Sequence, residues 1–104
     1  MKEIDVQNSI RLALHPHAIV FRANVGTFRT TDGRMVSTGL PKGFSDLFGF
    51  RKSDGKMFFL EVKNETGRLR VDQKHFIEMM RKNGAIAGVA RSAEEAIELV
   101  TVDV

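Results

Sequence analysis

DLFGF (Asp46–Phe50) and MFFLEVK (Met57–Lys63) flank RKSDGK (Arg51–Lys56), and together these three segments decide the fold of this chain. Both flanking segments are apolar and rich in aromatic or β-branched residues, which is typical of strands. The middle segment contains Asp54-Gly55, one of the strongest short-range turn signals in a sequence. The pattern therefore predicts a β-hairpin.

Two turn lengths fit this hairpin, and they differ in which residue lies opposite Asp46. A two-residue turn at Asp54-Gly55 sets Asp46 opposite Lys63, whereas a four-residue loop at Lys52–Gly55 sets it opposite Glu61. Glu61 and Lys63 are two residues apart, so they share one face of their strand. Either turn length therefore places Asp46 on the face that carries both.

The second strand of the hairpin is apolar on both faces, which is typical of an interior strand covered on both sides. Phe58, Leu60 and Val62 alternate with Met57 and Phe59. Acidic and basic side chains are rarely buried on such strands unless they are paired or bind a metal ion. A cross-strand ion pair on a solvated face would explain the charges equally well if the hairpin stood alone.

The remaining segments predict an α/β domain that spans residues 1–104, with a mixed sheet flanked by helices. The order is α-β-β-β-α-β-α, and the helix after the hairpin makes the Ala85 strand parallel to the Met57 strand. A long polar segment, Val25–Lys42, contains a turn at Asp32-Gly33 between short extended arms. The periodicity and end signals predict helices at Lys2–Leu14, Val71–Asn83 and from the Ser92 cap through Val100, and further strands at Ala18–Asn24 and Ala85–Arg91.

Composition narrows the class of protein. The chain has no cysteine, which excludes disulfides and thiolate chemistry, and no apolar run approaches the length of a membrane span. We therefore expect a protein of a reducing, intracellular compartment. The net charge is only +3, but the basic residues Arg22, Arg29, Arg34 and Lys42 face a single acid, Asp32, within their segment. We expect this cluster to contact phosphates of a nucleic acid.

An aspartate and a glutamate on adjacent strands suit a hard cation that binds oxygen, with Mg²⁺ or Mn²⁺ the natural occupant. Such an ion lowers the pKa of a bound water and neutralises charge on a reacting phosphate. Lys63 would then orient the attacking water or hold the phosphate. The backbone carbonyl of Val62 is available as a further ligand.

The order of these residues resembles a known family. GFSD (Gly43–Asp46), a hairpin and EVK (Glu61–Lys63) resemble the core of the restriction-endonuclease-like nucleases, and more narrowly the VRR-NUC (virus-type replication-repair nuclease) domain. Glu3 in the opening helix, the RANVG segment after the first strand and Gln73 in the later helix add to the resemblance. Ser45 stands where the superfamily often has proline, and Arg70 and Val71 replace a Ser-Pro helix start.

The resemblance implies a metal-dependent DNA endonuclease with a restriction-endonuclease-like core. Glu3, Asp46 and Glu61 would bind the metal, Lys63 would serve the nucleophile, and Gln73 would support the site. It further implies branched substrates, such as four-way (Holliday) junctions, in phage or mobile-element replication inside a prokaryotic cytoplasm. The residues expected to contact DNA are the basic cluster together with two later residues: Arg22, Arg29, Arg34, Lys42, Arg70 and Lys74.

The expected assembly and two competing functions follow from this interpretation. One site cuts one strand, so symmetric cutting of a junction calls for a homodimer, which we expect to form through the opening helix and the Val25–Lys42 segment. The alternative function is a non-catalytic DNA-binding accessory protein that keeps the fold, although pure binding has no need of Asp46, Glu61 and Lys63 together. A restriction-type enzyme is disfavoured because so short a chain has little room for elements that read bases.

Overall fold

A four-stranded mixed sheet lies at the centre of the computed structural model, which describes residues 1–103. The strand order is β1-β4-β5-β6; β1 and β5 are antiparallel to β4, and β6 is parallel to β5 as predicted. The strands of this sheet are β1 (Ala18–Arg22), β4 (Leu47–Arg51), β5 (Met57–Val62) and β6 (Ile86–Ala90), and the helices are α1 (Glu3–Leu14), α2 (Val71–Lys82) and α3 (Ala93–Val100).

The predicted α/β class and mixed sheet are confirmed, but the predicted order of elements omitted two strands. The polar segment between β1 and β4 contains β2 (Thr27–Arg29) and β3 (Met35–Ser37), which pair only with each other. The observed order is α-β-β-β-β-β-α-β-α. Three residues per strand are too few to show a periodic pattern, which is why the sequence indicated only extended arms around a turn. None of the helices described has the length and apolar character needed to cross a membrane.

The two faces of the sheet are covered differently. Helices α1 and α3 pack together over the inner face, where Leu47, Phe58 and Leu60 are fully buried against Ile10 and Val100. Helix α2 covers the outer face, but only over β5 and β6. The outer face of β1 and β4 therefore has no helix above it.

The hairpin adopts the longer of the two turns. Leu47 lies opposite Leu60 and Phe50 opposite Met57, so the register extends to Asp46 opposite Glu61. The Arg51 N–H donates to the Lys56 carbonyl at 3.0 Å, which closes a four-residue loop over residues 52–55. The Asp54 carboxylate, which binds the Arg51 guanidinium, also accepts the Lys56 N–H at 3.0 Å. This second bond favours the four-residue loop.

The segment of residues 24–42, which we call the arm, projects from the sheet. Its two strands pair Thr27 with Ser37 and Arg29 with Met35, and Phe28 remains 53% exposed. The Cα radius of gyration is 14.3 Å, compared with about 13 Å for a compact domain of this length. Both ends of the arm lie at the site. The Ala23 N–H donates to the Asp46 carbonyl at 2.9 Å, and Gly43 returns the chain to Asp46.

Candidate active site

The candidate site lies on the outer face of the sheet, where β4 begins and β5 ends. It brings together Asp46, Glu61 and Lys63. The Val62 N–H donates to Asp46 Oδ2 at 2.8 Å, which holds the aspartate against the strand that carries Glu61. Lys63 Nζ lies 4.0 Å from Glu61 Oε1. Glu61 is 2% exposed and Lys63 is 7% exposed, so both charges are buried as predicted for an interior strand. The alternative of an ion pair on a solvated face is therefore wrong.

Gln73 in the first turn of α2 holds Glu61 in place. Its side-chain amide donates from Nε2 to Glu61 Oε1 at 2.9 Å, and its Oε1 accepts the Arg70 N–H at 2.9 Å. One amide thus satisfies a free N–H group at the start of the helix and orients the buried carboxylate. Because Arg70 offers no side-chain acceptor to cap α2, the bond from Gln73 takes on that role.

The environment of Glu61 disfavours its charged form. Burial, and after it the hydrogen bond and the charge of the neighbouring Asp46, raise the pKa of Glu61 to about 9, although the positive charges of Lys63 and Arg70 act in the opposite direction. Two carboxylates that cannot both ionise without cost need a positive charge between or beside them. A cation bound through the carboxylate oxygens would supply such a charge.

Stability in the absence of metal should fall as the pH rises. The pKa of Glu61 is about 9 in the folded chain and 4.5 for an ordinary glutamate. Between these two pH values the folded state therefore binds more protons than the unfolded state. We expect the free energy of unfolding, measured with urea in EDTA, to fall by up to about 1.4 kcal/mol per pH unit in this window. Glu61→Gln removes this dependence, and Glu78→Gln, on an exposed part of α2, retains it. Equal pH slopes for the two variants would contradict the assignment.

A short loop after Lys63 brings Glu3 near the site. A Cβ placed on Gly67 would lie 3.1 Å from Lys63 Cδ and 3.2 Å from Glu3 Oε2, so both side chains pack on the bare glycine backbone. Arg91, at the end of β6, donates from Nη1 to the Asn64 and Gly67 carbonyls, both at 2.7 Å. Glu3 is thus beside the lysine stem, and the loop that supports Lys63 is tied to the sheet.

The oxygen donors suit a divalent cation. Asp46 and Glu61 supply carboxylates, and the Val62 carbonyl points to the same side of β5 as its N–H, towards Asp46. Within residues 1–103 no three histidine, aspartate or glutamate side chains form a cluster tight enough for a metal, and Glu3 as a ligand stays a prediction. The donor set that the structure brings together is therefore two carboxylates and one carbonyl, all of them hard ligands.

The basic residues expected at DNA do not all lie at this site. Arg22 pairs with Leu47, so it lies on the inner face of the sheet, opposite to Asp46, and it is exposed there; Arg29 and Arg34 lie on the arm. Lys42 and Arg70 flank Asp72 at the start of α2, with Arg70 Nε 3.2 Å from Asp72 Oδ1. Lys74 borders a hollow between α2 and β6 together with Leu69, Ile77, Glu78 and Arg81.

Two contacts near the site had no signal in the sequence. Arg91 follows a short buried strand, and no local pattern indicates that it binds the loop after Lys63. Ser45 is fully buried, and its hydroxyl donates to the Leu47 carbonyl at 2.9 Å. This internal bond shows how serine is accommodated where related chains often have proline. The histidines at positions 15 and 17 are exposed and do not approach the site.

The chain matches a known protein family in sequence and a solved structure in fold. A family model for the VRR-NUC domain matches residues 30–94, which include the hairpin, Gln73 and Arg91 but not Glu3, Arg22 or Arg29. A solved structure described as a VRR_NUC domain superposes with a TM-score of 0.68 at 24% identity, over 98% of this chain and 97% of that chain. None of the curated proteins is a detectable relative. At this identity the structural likeness shows the fold alone.

Proposed function

This chain belongs to the VRR-NUC domain family, and from that membership we propose that it is a Mg²⁺- or Mn²⁺-dependent endonuclease that hydrolyses phosphodiester bonds in DNA. The observation that carries the proposal is the burial of Glu61 and Lys63 at the end of an interior strand, with the half-buried Asp46 held beside them by the Val62 N–H. A protein that only binds DNA gains nothing from two repelling carboxylates beneath its phosphate-binding surface.

Each side chain has a role in that reaction. Asp46, Glu61 and the Val62 carbonyl would hold the ion, which when bound supplies a water of lowered pKa and positive charge for the reacting phosphate. The Lys63 ammonium, held over the same site, places a positive charge where negative charge develops on the phosphate oxygens. Gln73 keeps Glu61 in one orientation, and Glu3 acts from beside the Lys63 stem rather than through direct contact with Asp46.

DNA would reach this site along the basic residues that border it. Arg70 lies near the carboxylates and Lys42 lies beside Asp72, while Arg29 and Arg34 carry positive charge along the arm. Arg22 lies on the other face of the sheet, so its proposed contact is with DNA that passes the edge strand β1. The carboxylates repel phosphate, and these cations offset that repulsion. The position of Lys74 in a hollow on the far side of α2 makes it the weakest of the proposed DNA contacts.

The proposed substrate is branched DNA, of which the four-way junction is the expected example, in phage or mobile-element replication within a prokaryotic cytoplasm. The element proposed to contact a second duplex of the junction is the arm, a separate two-stranded ribbon that carries Arg29 and Arg34. Two such sites are needed to cut a junction symmetrically, so we propose that the chain acts as a homodimer.

A single cleavage assay tests the proposal. Linear, nicked, flapped and four-way DNA are incubated with the protein in Mg²⁺, in Mn²⁺ and in EDTA. We expect cleavage only with the divalent ions, and faster cleavage of four-way DNA than of linear DNA. Tight binding without cleavage under every condition would favour the accessory protein instead, and equal rates on all substrates would remove the preference for branches.

The arm predicts a specific dependence on salt. Arg29→Ala combined with Arg34→Ala should weaken DNA binding and reduce the slope of log K against log[salt] by about 2, because each phosphate contact contributes a slope near 1. Fluorescence anisotropy over a salt series in Ca²⁺ measures this slope. Arg11→Ala, on α1 at the other face of the sheet, is the matched control and should leave the slope unchanged. A double variant that keeps the wild-type slope would place both arginines away from DNA.

A further inference from the structure

One face of the arm combines an aromatic ring with a guanidinium group. Because partners across an antiparallel ribbon share a face, Phe28 lies on the same side as Val36. The Thr30 N–H donates to the Arg34 carbonyl at 2.7 Å, which continues this pairing beyond the end of the two strands. Thr30 is two residues from Phe28, so this pair returns to the face of the ring. Phe28 and Arg34 therefore occupy neighbouring rows of one face, about 7 Å apart along the ribbon.

Both side chains are open to a partner. Phe28 is 53% exposed, and an isolated two-stranded ribbon has little buried surface of its own to which such a ring could add. The Arg34 side chain is 77% exposed and pairs with Asp32 at 3.1 Å. Since a surface ion pair of this kind contributes little free energy, Arg34 can exchange Asp32 for another anion.

The charges of the arm favour DNA as that partner. Residues 24–42 contain three cations and a single acid, which are Arg29, Arg34, Lys42 and Asp32. A second copy of a ribbon with this charge would be repelled, because like charges would meet across the contact. DNA instead offers phosphates to the cations and the flat faces of bases to the ring. A two-stranded ribbon is also narrow enough to enter a groove of the duplex.

We propose that Phe28 stacks on a base exposed at the branch point of the DNA, while Arg34 binds the adjoining phosphate. Within a linear duplex the faces of each base are covered by its neighbours, and unstacking one has a cost in free energy that is least where stacking is already interrupted. Strand exchange at a branch point interrupts the stack. The ring would therefore favour branched substrates without reading their sequence, since every base has a π-face.

This contact rests on the proposed function, because it takes DNA as the substrate. It adds the side chain that distinguishes a branch from an uninterrupted duplex. The arginines of the arm then contribute affinity for any DNA, and Phe28 contributes the preference for branches. The two contributions are separable by substitution, since Phe28 has no charge and its loss leaves the salt dependence of binding unchanged.

A single tryptophan reports on the stacking directly. The chain has no tryptophan or tyrosine, so Phe28→Trp carries one fluorophore, at the proposed contact. Met35→Trp is the matched control, because Met35 is 59% exposed and lies on the other face of the same ribbon. Stacking on a base quenches indole emission. In Ca²⁺ we expect a four-way junction to quench Phe28→Trp about 2-fold or more, with little effect from a linear duplex of equal length. Met35→Trp should keep its emission with both.

Binding affinities provide a second measurement. By fluorescence anisotropy in Ca²⁺, Phe28→Ala should weaken binding to the four-way junction on the order of 10-fold, the size expected for the loss of one stacked base. Binding to linear duplex should stay within about 2-fold of the wild type. Phe28→Leu keeps an apolar side chain without a flat ring and should lose as much as Phe28→Ala, whereas Phe28→Trp should bind like the wild type. Full binding by Phe28→Leu would overturn the stacking contact.

Other results would also overturn the proposal. Equal quenching of Phe28→Trp by linear and four-way DNA would show no preference for a branch, and equal quenching of Met35→Trp would show no preference for the face. Emission from Phe28→Trp that changes with protein concentration in the absence of DNA would assign the ring to a second copy. Neither measurement needs cleavage. A protein that stacks on junctions without cutting them would keep this contact and lose the nuclease, and one that cuts without quenching would lose only the contact.

Discussion

Alanine at Asp46, Glu61 or Lys63 should each lower the rate of DNA cleavage on the order of 10³-fold, while the chain remains folded. In the proposed reaction the two carboxylates would hold the cation, and Lys63 Nζ lies 4.0 Å from Glu61 Oε1. Their effects should not add, because the three groups act on one phosphate as a unit. Single-turnover rates on a four-way junction at saturating protein measure the chemical step and separate it from binding.

A nearby acid provides the control for this series. Glu65 lies two residues beyond Lys63 but pairs with the N-terminal amine at the surface, so Glu65→Ala should cut at close to the wild-type rate. Urea unfolding of each variant shows whether a loss of rate is only a loss of structure. Glu61→Ala removes a carboxyl group that must take up a proton to be buried, so the variant should be no less stable than the wild type above neutral pH. Wild-type rates in any of the three active-site variants would place the chemistry elsewhere.

Alanine at Gly49 should cause the largest loss of stability of any single methyl added to this chain. A Cβ on Gly49 would lie 1.9 Å from the Ile19 carbonyl oxygen and 3.1 Å from Phe58 Cζ, so β1 would have to move away from β4. Overpacking a core commonly costs 1–3 kcal/mol, and displacement of a paired strand puts this change at the upper end, about 3 kcal/mol or more. Urea unfolding monitored by circular dichroism measures the change.

Gly88 makes a matched control, because it also lies on the inner face of the sheet. Its added Cβ would meet the two Leu99 methyl groups, both at 3.2 Å, and Arg81 Nη2 at 3.4 Å, and all three are ends of side chains that can shift by a few tenths of an ångström. We expect Gly88→Ala to cost less than about 1 kcal/mol. If both variants lost a similar free energy of unfolding, the pairing of β1 with β4 would tolerate the added methyl group as well as the side-chain core does, and the prediction would be wrong.

The hairpin shows why sequence alone predicted so much of the site. Both possible turns contain an even number of residues, so either one places Asp46 on the face of Glu61 and Lys63. The sequence could not choose between them, because the choice depends on the bonds that Asp54 makes to Arg51 and Lys56 within the folded loop. The face was therefore predictable from a period of two, and the register was not.

Long-range contacts mark the limit of what could be predicted. The resemblance alone assigned Gln73 to the site, and nothing in the sequence showed that its amide links Glu61 to the start of α2. Arg91 was missed, since it reaches back 24 and 27 residues to two carbonyl groups. The arm strands were also missed, because a ribbon that pairs only with itself leaves no buried pattern in the sequence.

The closure of the arm at its base has a consequence for protein engineering. The bond from the Ala23 N–H to the Asp46 carbonyl joins the two ends of the insertion, and Thr38 donates to Gly26 one step further out. The sheet below is therefore complete whatever lies between these ends, and the entropy cost of a longer insertion grows only slowly with its length. Arms of other lengths and charges can therefore replace residues 24–42. Such replacements would change which DNA substrates are bound and would leave the strands that carry the candidate active site unchanged.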